Sequence, residues 1–178
     1  METRIKTGIG TNHLVIMALM IALSFAGSHI RIFGSIAFDS LPGFLVALLL
    51  GPVHGAVIGF LGHVFTAMIS GFPLSFPLHM VIAFSMALTM LMFGYTYRAL
   101  NNKISKMGNI AITGIVGVVL NGPVSLAFSM GVMSLIAGRE AAMGMLVMLL
   151  PLVAAAATNV VLCFVLFKAL GKEIKKII

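Results

Sequence analysis

Three polar side chains, Asn121, Ser125 and Ser129, recur at four-residue spacing inside an otherwise apolar run. On an α-helix that spacing places them on one face. His63 and Thr66, three apart, share a face in the same way. Thr158 and Asn159 stand together in a later apolar run, and His79 opens another, just after Gly71-Phe72-Pro73-Leu74-Ser75-Phe76-Pro77. Amides, hydroxyls and imidazoles set in apolar helices do one of two things. They hydrogen-bond between helices, or they line a site for a polar ligand. Left unpaired, each would cost about 2–7 kcal/mol by transfer measurements. For any one residue, bonding between helices is the commoner answer. Clustered on the outer halves of several helices, they point to a ligand pocket.

Covalent and nucleotide chemistry has no carrier. There is no G-x-x-x-x-G-K-[ST] loop, since Gly171-Lys172-Glu173 has neither the glycine spacing nor the hydroxyl. There is no H-E-x-x-H and no G-x-S-x-G. The five histidines, His13, His29, His54, His63 and His79, never pair at helical spacing, so no preassembled metal site is expected. The chain reads as no enzyme, with no cofactor.

Asp39-Ser40-Leu41-Pro42-Gly43 opens the second apolar run. Asp39 or Ser40 suits a helix cap, with Pro42 in the first turn. Arg31 lies eight residues earlier, within reach of Asp39 or of a polar substrate at a pocket mouth.

Helices in a membrane must hold these groups. Of the 178 residues, 61% are hydrophobic and only 8% charged, against about a quarter in an ordinary soluble domain. Six apolar stretches follow one another: Leu14 to Ile30, Ile36 to Leu50, Val53 to Ser70, Leu78 to Ala99, Ile110 to Ala137 and Ala141 to Phe167. A perpendicular crossing takes about 20 apolar residues. The second and third stretches are short and separated by Gly51 and Pro52. The last two are long, with Pro123 and Pro151 as candidate kinks. The reading is an all-α membrane protein, a single domain over 1–178 with six transmembrane helices. The N-terminus lacks a small-residue cleavage site and reads as no signal peptide. Cys163 stands alone, which excludes a disulfide framework.

Charge sets the topology. With both termini cytoplasmic, the inner segments hold Arg4, Lys6, Arg98, Lys103, Lys106, Lys168, Lys172, Lys175 and Lys176, and the outer loops only Arg31 and Arg139, which accounts for all 11 Lys and Arg. That is the positive-inside pattern. The net charge of +7 therefore reflects topology, not nucleic-acid binding. No Asp, Glu, Lys or Arg falls at the centre of a stretch, and His63 is the one titratable group that does. An ion-driven carrier would need such groups, so energy for transport is expected from another chain.

Small residues form two strips, Ala18, Ala22 and Ala26 in the first stretch and Gly51, Gly55 and Gly59 at the third. Each permits close helix approach, either within the bundle or to a separate membrane subunit.

On these features the chain resembles the substrate-binding S components of energy-coupling factor (ECF) transporters. Ala18-Leu-Met-Ile-Ala22 matches that family's A-x-x-x-A motif. The more specific part is Phe38-Asp-Ser-Leu-Pro-Gly-Phe-Leu-Val-Ala-Leu-Leu-Leu-Gly-Pro-Val-His-Gly-Ala-Val-Ile-Gly, followed by Gly62-His63 and Ser70-Gly-Phe-Pro-Leu. The resemblance implies a vitamin-binding subunit of a bacterial plasma membrane. Its pocket would lie near the outer face, under loops between helices 1 and 2 and between helices 3 and 4. It implies docking through Ala18, Ala22 and Ala26 onto a transmembrane coupling (T) subunit driven by two cytoplasmic ATPases. The Phe-Asp-Ser-x-Pro-Gly-Phe block is most similar to subunits assigned to α-ribazole, a cobalamin precursor; pantothenate is the next candidate. The expected ligand set is Arg31, Asp39, His63, Phe72, Phe76, His79, Asn121, Ser125, Ser129 and Asn159. In it a ribosylated ring stacks on Phe72 or Phe76, while Asn121 and Ser125 bind hydroxyls. Two other functions fit the composition: a stand-alone secondary transporter, and a membrane scaffold whose polar groups serve only packing.

Overall fold

The computed structural model describes residues 10–29, 31–32, 36–37 and 39–177. Arg4 and Lys6, and the side chains of Arg31 and Lys175, lie outside the described residues. The chain folds as helices α1 (Thr11–Gly27), α2 (Leu41–Leu49), α3 (Pro52–Ile69), α4 (Phe76–Leu100), α5 (Lys106–Val119), α6 (Ser125–Gly144) and α7 (Leu149–Ile177). A π-helical turn, Leu120–Val124, joins α5 to α6, and a 3-10 turn, Met145–Met148, joins α6 to α7. The all-α reading needs one amendment. Strands β1 (Arg31–Ile32) and β2 (Ile36–Ala37) form a small antiparallel hairpin between α1 and α2.

The second apolar stretch therefore does not form one long helix. Ile36 and Ala37 are extended, and α2 has 9 residues, about 14 Å of rise against the roughly 30 Å of a bilayer core. Such a helix is apolar all round because it is enclosed all round. Phe44, Val46 and Ala47 are fully buried, and α1, α3, α4 and α7 all pack on α2. Ser40 sits at its N-cap but makes no capping bond; Pro42 does fall in the first turn.

The glycine strip is internal. A Cβ on Gly55 would lie 2.5 Å from the Cβ of Ala47, and one on Gly59 would lie 2.8 Å from Met90. Gly55 and Gly59 thus let α2 and α4 close on α3. The alanine strip is different. α1 buries Ile16, Met20 and Ser24, while Ala18, Ala22 and Ala26 face outward and are exposed.

Side-chain contacts fix the helix directions. The rings of His13 and His54 lie 6.3 Å apart, as do those of Phe25 and Phe65, so α1 and α3 run parallel. Pro52 abuts Gly94 and His63 meets His79, so α4 runs against α3. Asn109 Nδ2 donates to the Tyr97 carbonyl at 2.9 Å, and Phe167 packs on Tyr97. One end of the bundle consequently gathers Gly51, Arg98, Lys103, Lys106, Lys168 and Lys172.

Among the described residues, three helical segments are long and apolar enough to cross a membrane: Pro52–Ile69, Phe76–Leu100 and the 69-residue run Lys106–Ile174. The last is far too long for one crossing. It turns back at Gly138, whose φ of 87° no helix accommodates, and α5 and α7 pack side by side.

Candidate functional site

A cavity of about 190 Å³ lies in the half of the bundle away from the basic end. The start of α2 supplies Asp39 and Ser40, α3 supplies His63, and α4 supplies His79. The π-helical turn supplies Asn121. A π turn widens the helix and frees backbone groups, and Pro123 within it has no N–H to donate. Ser125 and Ser129 follow on α6, and Asn159 projects from α7. Apolar walls close the remainder: Leu78, Ile82 and Met86 from α4, Leu126 from α6, Met145 and Met148 from the 3-10 turn, and Leu152, Ala155 and Ala156 from α7.

The polar wall on the α2–α4 side is one connected network. His79 Nε2 lies 2.8 Å from the Pro73 carbonyl, which only accepts, so Nε2 carries the hydrogen. The other nitrogen of a neutral His79, Nδ1, then accepts from His63 Nε2 at 3.2 Å. That leaves His63 Nδ1 facing Asp39 Oδ2 at 3.7 Å. At that distance the two meet as a polar contact rather than a hydrogen bond. Thr66 completes the account. Its Oγ1 is 2.5 Å from Asp39 Oδ2 and 3.0 Å from the Gly62 carbonyl, with one hydrogen to give. It donates either to the carboxyl or to that carbonyl, and so ties α3 to the start of α2.

The network continues through Ser40, which donates to Asp39 Oδ1 at 3.3 Å, to Asn121 Nδ2, which donates to Ser40 Oγ at 3.4 Å. Ser129 donates back to the Ser125 carbonyl at 2.8 Å. Asn159 stands apart on α7. It is 1% exposed, and among the described residues neither its Oδ1 nor its Nδ2 has a hydrogen-bond partner. Asn121 Oδ1 is also unpartnered. Buried polar groups in folded proteins are nearly always satisfied. Among the described residues, amides of the cavity lining thus hold three unpartnered polar atoms.

Of the residues singled out in the sequence, Asp39, His63, His79, Asn121, Ser125, Ser129 and Asn159 meet around this cavity. Asp39, expected as a cap, a partner for Arg31 or a substrate contact, lines the cavity, is 3% exposed and turns toward His63. Phe72 and Phe76 are not in the wall. Their rings pair edge to face at 5.1 Å outside it, with Phe72 also 5.9 Å from the His79 ring, and Phe76 is 57% exposed. Arg31's side chain lies outside the described residues. Thr158 is exposed and bonds back to the Ala154 carbonyl. Among the described residues no cluster of His, Cys, Asp or Glu could hold a metal ion.

Ser40 and the apolar wall were missed. Ser40 had been weighed only as a cap. The α7 wall did have a signal: Leu152, Ala155, Ala156 and Asn159 fall at i, i+3, i+4 and i+7, one helical face.

The family model for the ECF transporter, substrate-specific component, matches residues 12–171. No curated protein and no solved structure matches.

Proposed function

Because the chain belongs to the family of ECF transporter substrate-specific components, membrane subunits that bind substrate and work with T and ATPase subunits, we propose that it captures a vitamin or vitamin precursor in the cavity described above. The observation that carries this reading is Asn159, a buried amide of the cavity lining whose two polar atoms have no partner among the described residues. A hydrogen-bonding ligand would satisfy it; helix packing does not. Following the sequence block around Asp39, α-ribazole is the first candidate and pantothenate the second.

The basic end of the bundle is taken as cytoplasmic, in keeping with the positive-inside rule. Six traverses of a bacterial plasma membrane follow: α1, the hairpin with α2, α3, α4, the α5–α6 arm and α7. Both chain ends then face the cytoplasm. The cavity lies toward the outside, where substrate arrives. The exposed strip of Ala18, Ala22 and Ala26 is the proposed docking face for the T subunit, which two cytoplasmic ATPases would drive.

Mass spectrometry of small molecules released from the purified protein tests the reading. A stoichiometric vitamin-like compound is expected. A stand-alone transporter would take up that compound in cells lacking the T and ATPase subunits, and the proposed subunit would not. A protein that never carries a small molecule and never gains thermal stability from one would be a scaffold.

A further inference from the structure

We infer that the cavity selects an uncharged ligand that presents a paired donor–acceptor edge to Asn159 and a hydrogen-bond donor to Asn121 Oδ1. This rests on the proposal that the cavity is the binding site.

Three observations carry it. First, the Asn159 carboxamide holds an acceptor, Oδ1, beside a donor, Nδ2, both buried and unpartnered. Its complement is an edge that gives one hydrogen bond and takes another: a carboxamide, a lactam or a cis-diol. A carboxylate only accepts and would set its lone pairs against Oδ1. An ammonium only donates and would leave Nδ2 unmet.

Second, Asn121 Oδ1 is a further open acceptor, while its Nδ2 is already committed to Ser40. The ligand must supply a donor at that point, which a carboxylate or phosphate lacks.

Third, nothing charged is free to compensate an ion. Among the described wall residues there is no Lys or Arg. The Asp39 carboxyl is already engaged, Oδ1 by Ser40 and Oδ2 by Thr66, with His63 beside it. A charged ligand would lose its hydration and find no counter-charge. Of the two candidates named above, the neutral riboside fits this wall and the carboxylate pantothenate does not.

A protein-free extract of cobalamin-producing bacteria, passed through anion and cation exchangers at pH 8, gives three pools: anionic, cationic and unretained. Each is added to ligand-free purified protein and the melting temperature read. The unretained pool is expected to raise it, the other two not. A rise with the anionic or cationic pool alone overturns the inference while leaving the cavity a binding site. No rise with any pool removes the binding reading itself.

Asn159→Leu separates the amide from the rest. Without extract it should melt at or above the parent protein, because an unsatisfied buried amide is gone. Its affinity for the active fraction of the unretained pool should fall about 30-fold, two hydrogen bonds at about 1 kcal/mol each. Undiminished affinity in a folded Asn159→Leu overturns the docking to Asn159. Asn159→Gln keeps both atoms but displaces them, and guards against a variant that fails to fold.

Discussion

Replacing Thr66 by Val keeps the shape of a fully buried side chain and removes one hydroxyl. That hydroxyl is the close partner of Asp39 Oδ2 at 2.5 Å; the remaining contact of that oxygen is His63 at 3.7 Å. Stripping a partner from a buried polar group costs about 1–3 kcal/mol, and a carboxylate sits toward the upper part of that range. Taking about 2 kcal/mol, a chain of this size should lose about 4–8 °C in melting temperature. Thr66→Ser keeps the hydroxyl and drops one buried methyl, for about 1 kcal/mol, so it should lose about half as much. The decisive measurement is the double-mutant cycle with Asp39→Ala. Once Asp39 is gone, Thr66 donates to the Gly62 carbonyl at 3.0 Å and has no carboxylate to serve. Thr66→Val should then cost at least about 1 kcal/mol less than in the parent. Unfolding in detergent is read ligand-free at one fixed scan rate, so that irreversible steps affect all four proteins alike. Equal costs in both backgrounds would refute the Thr66–Asp39 link.

Three further outcomes are expected. Ala18→Leu with Ala22→Leu should abolish uptake in cells expressing the T and ATPase subunits while leaving the ligand-induced melting shift intact; retained uptake would refute docking through that strip. Gly55→Val should destabilise by at least about 1–3 kcal/mol, the usual cost of overpacking, since its Cβ would fall 2.5 Å from that of Ala47; an unshifted melting midpoint would mean that α2 is not seated tightly on α3. Phe76→Ala should change ligand affinity less than twofold, because the ring lies outside the cavity wall and is largely exposed; a tenfold loss would return Phe76 to the site.

The sequence was most informative where a polar residue interrupts an apolar run. Asn121, Ser125 and Ser129 share a face, and the structure puts all three on the cavity wall. It was least informative about apolar residues. In a soluble protein the buried face of a helix is picked out by contrast with a polar one, and here both faces are apolar. Leu78 in the wall and Phe84 on the outside of the same helix look alike to any hydropathy scale. The same blindness extended α2 backward over Ile36 and Ala37, which hydropathy cannot tell from helix. Contacts between distant segments were also out of reach. His63 and His79 are 16 residues apart and meet only because α4 folds back along α3. Phe72 and Phe76 were placed in the site because aromatics flank the loop. The loop's left-handed residues, Phe72 at φ 49° and Leu74 at φ 73°, accompany a different arrangement.

Asp39 changes the argument about energy. From the sequence, the lack of a carboxylate at the centre of any apolar stretch spoke against an ion-driven carrier. The structure buries one beside two histidines, the kind of group that proton-coupled carriers use. Geometry decides what these groups can do. The Pro73 carbonyl fixes the His79 tautomer, and that in turn fixes which nitrogen of His63 faces Asp39. Asp39 accepts from Thr66 and Ser40, and His63 lies between Asp39 and His79. The role proposed for the trio is to hold Ser40 and Asn121 in place on the wall. The work of transport falls to a partner, as membership in a family served by ATPase subunits implies.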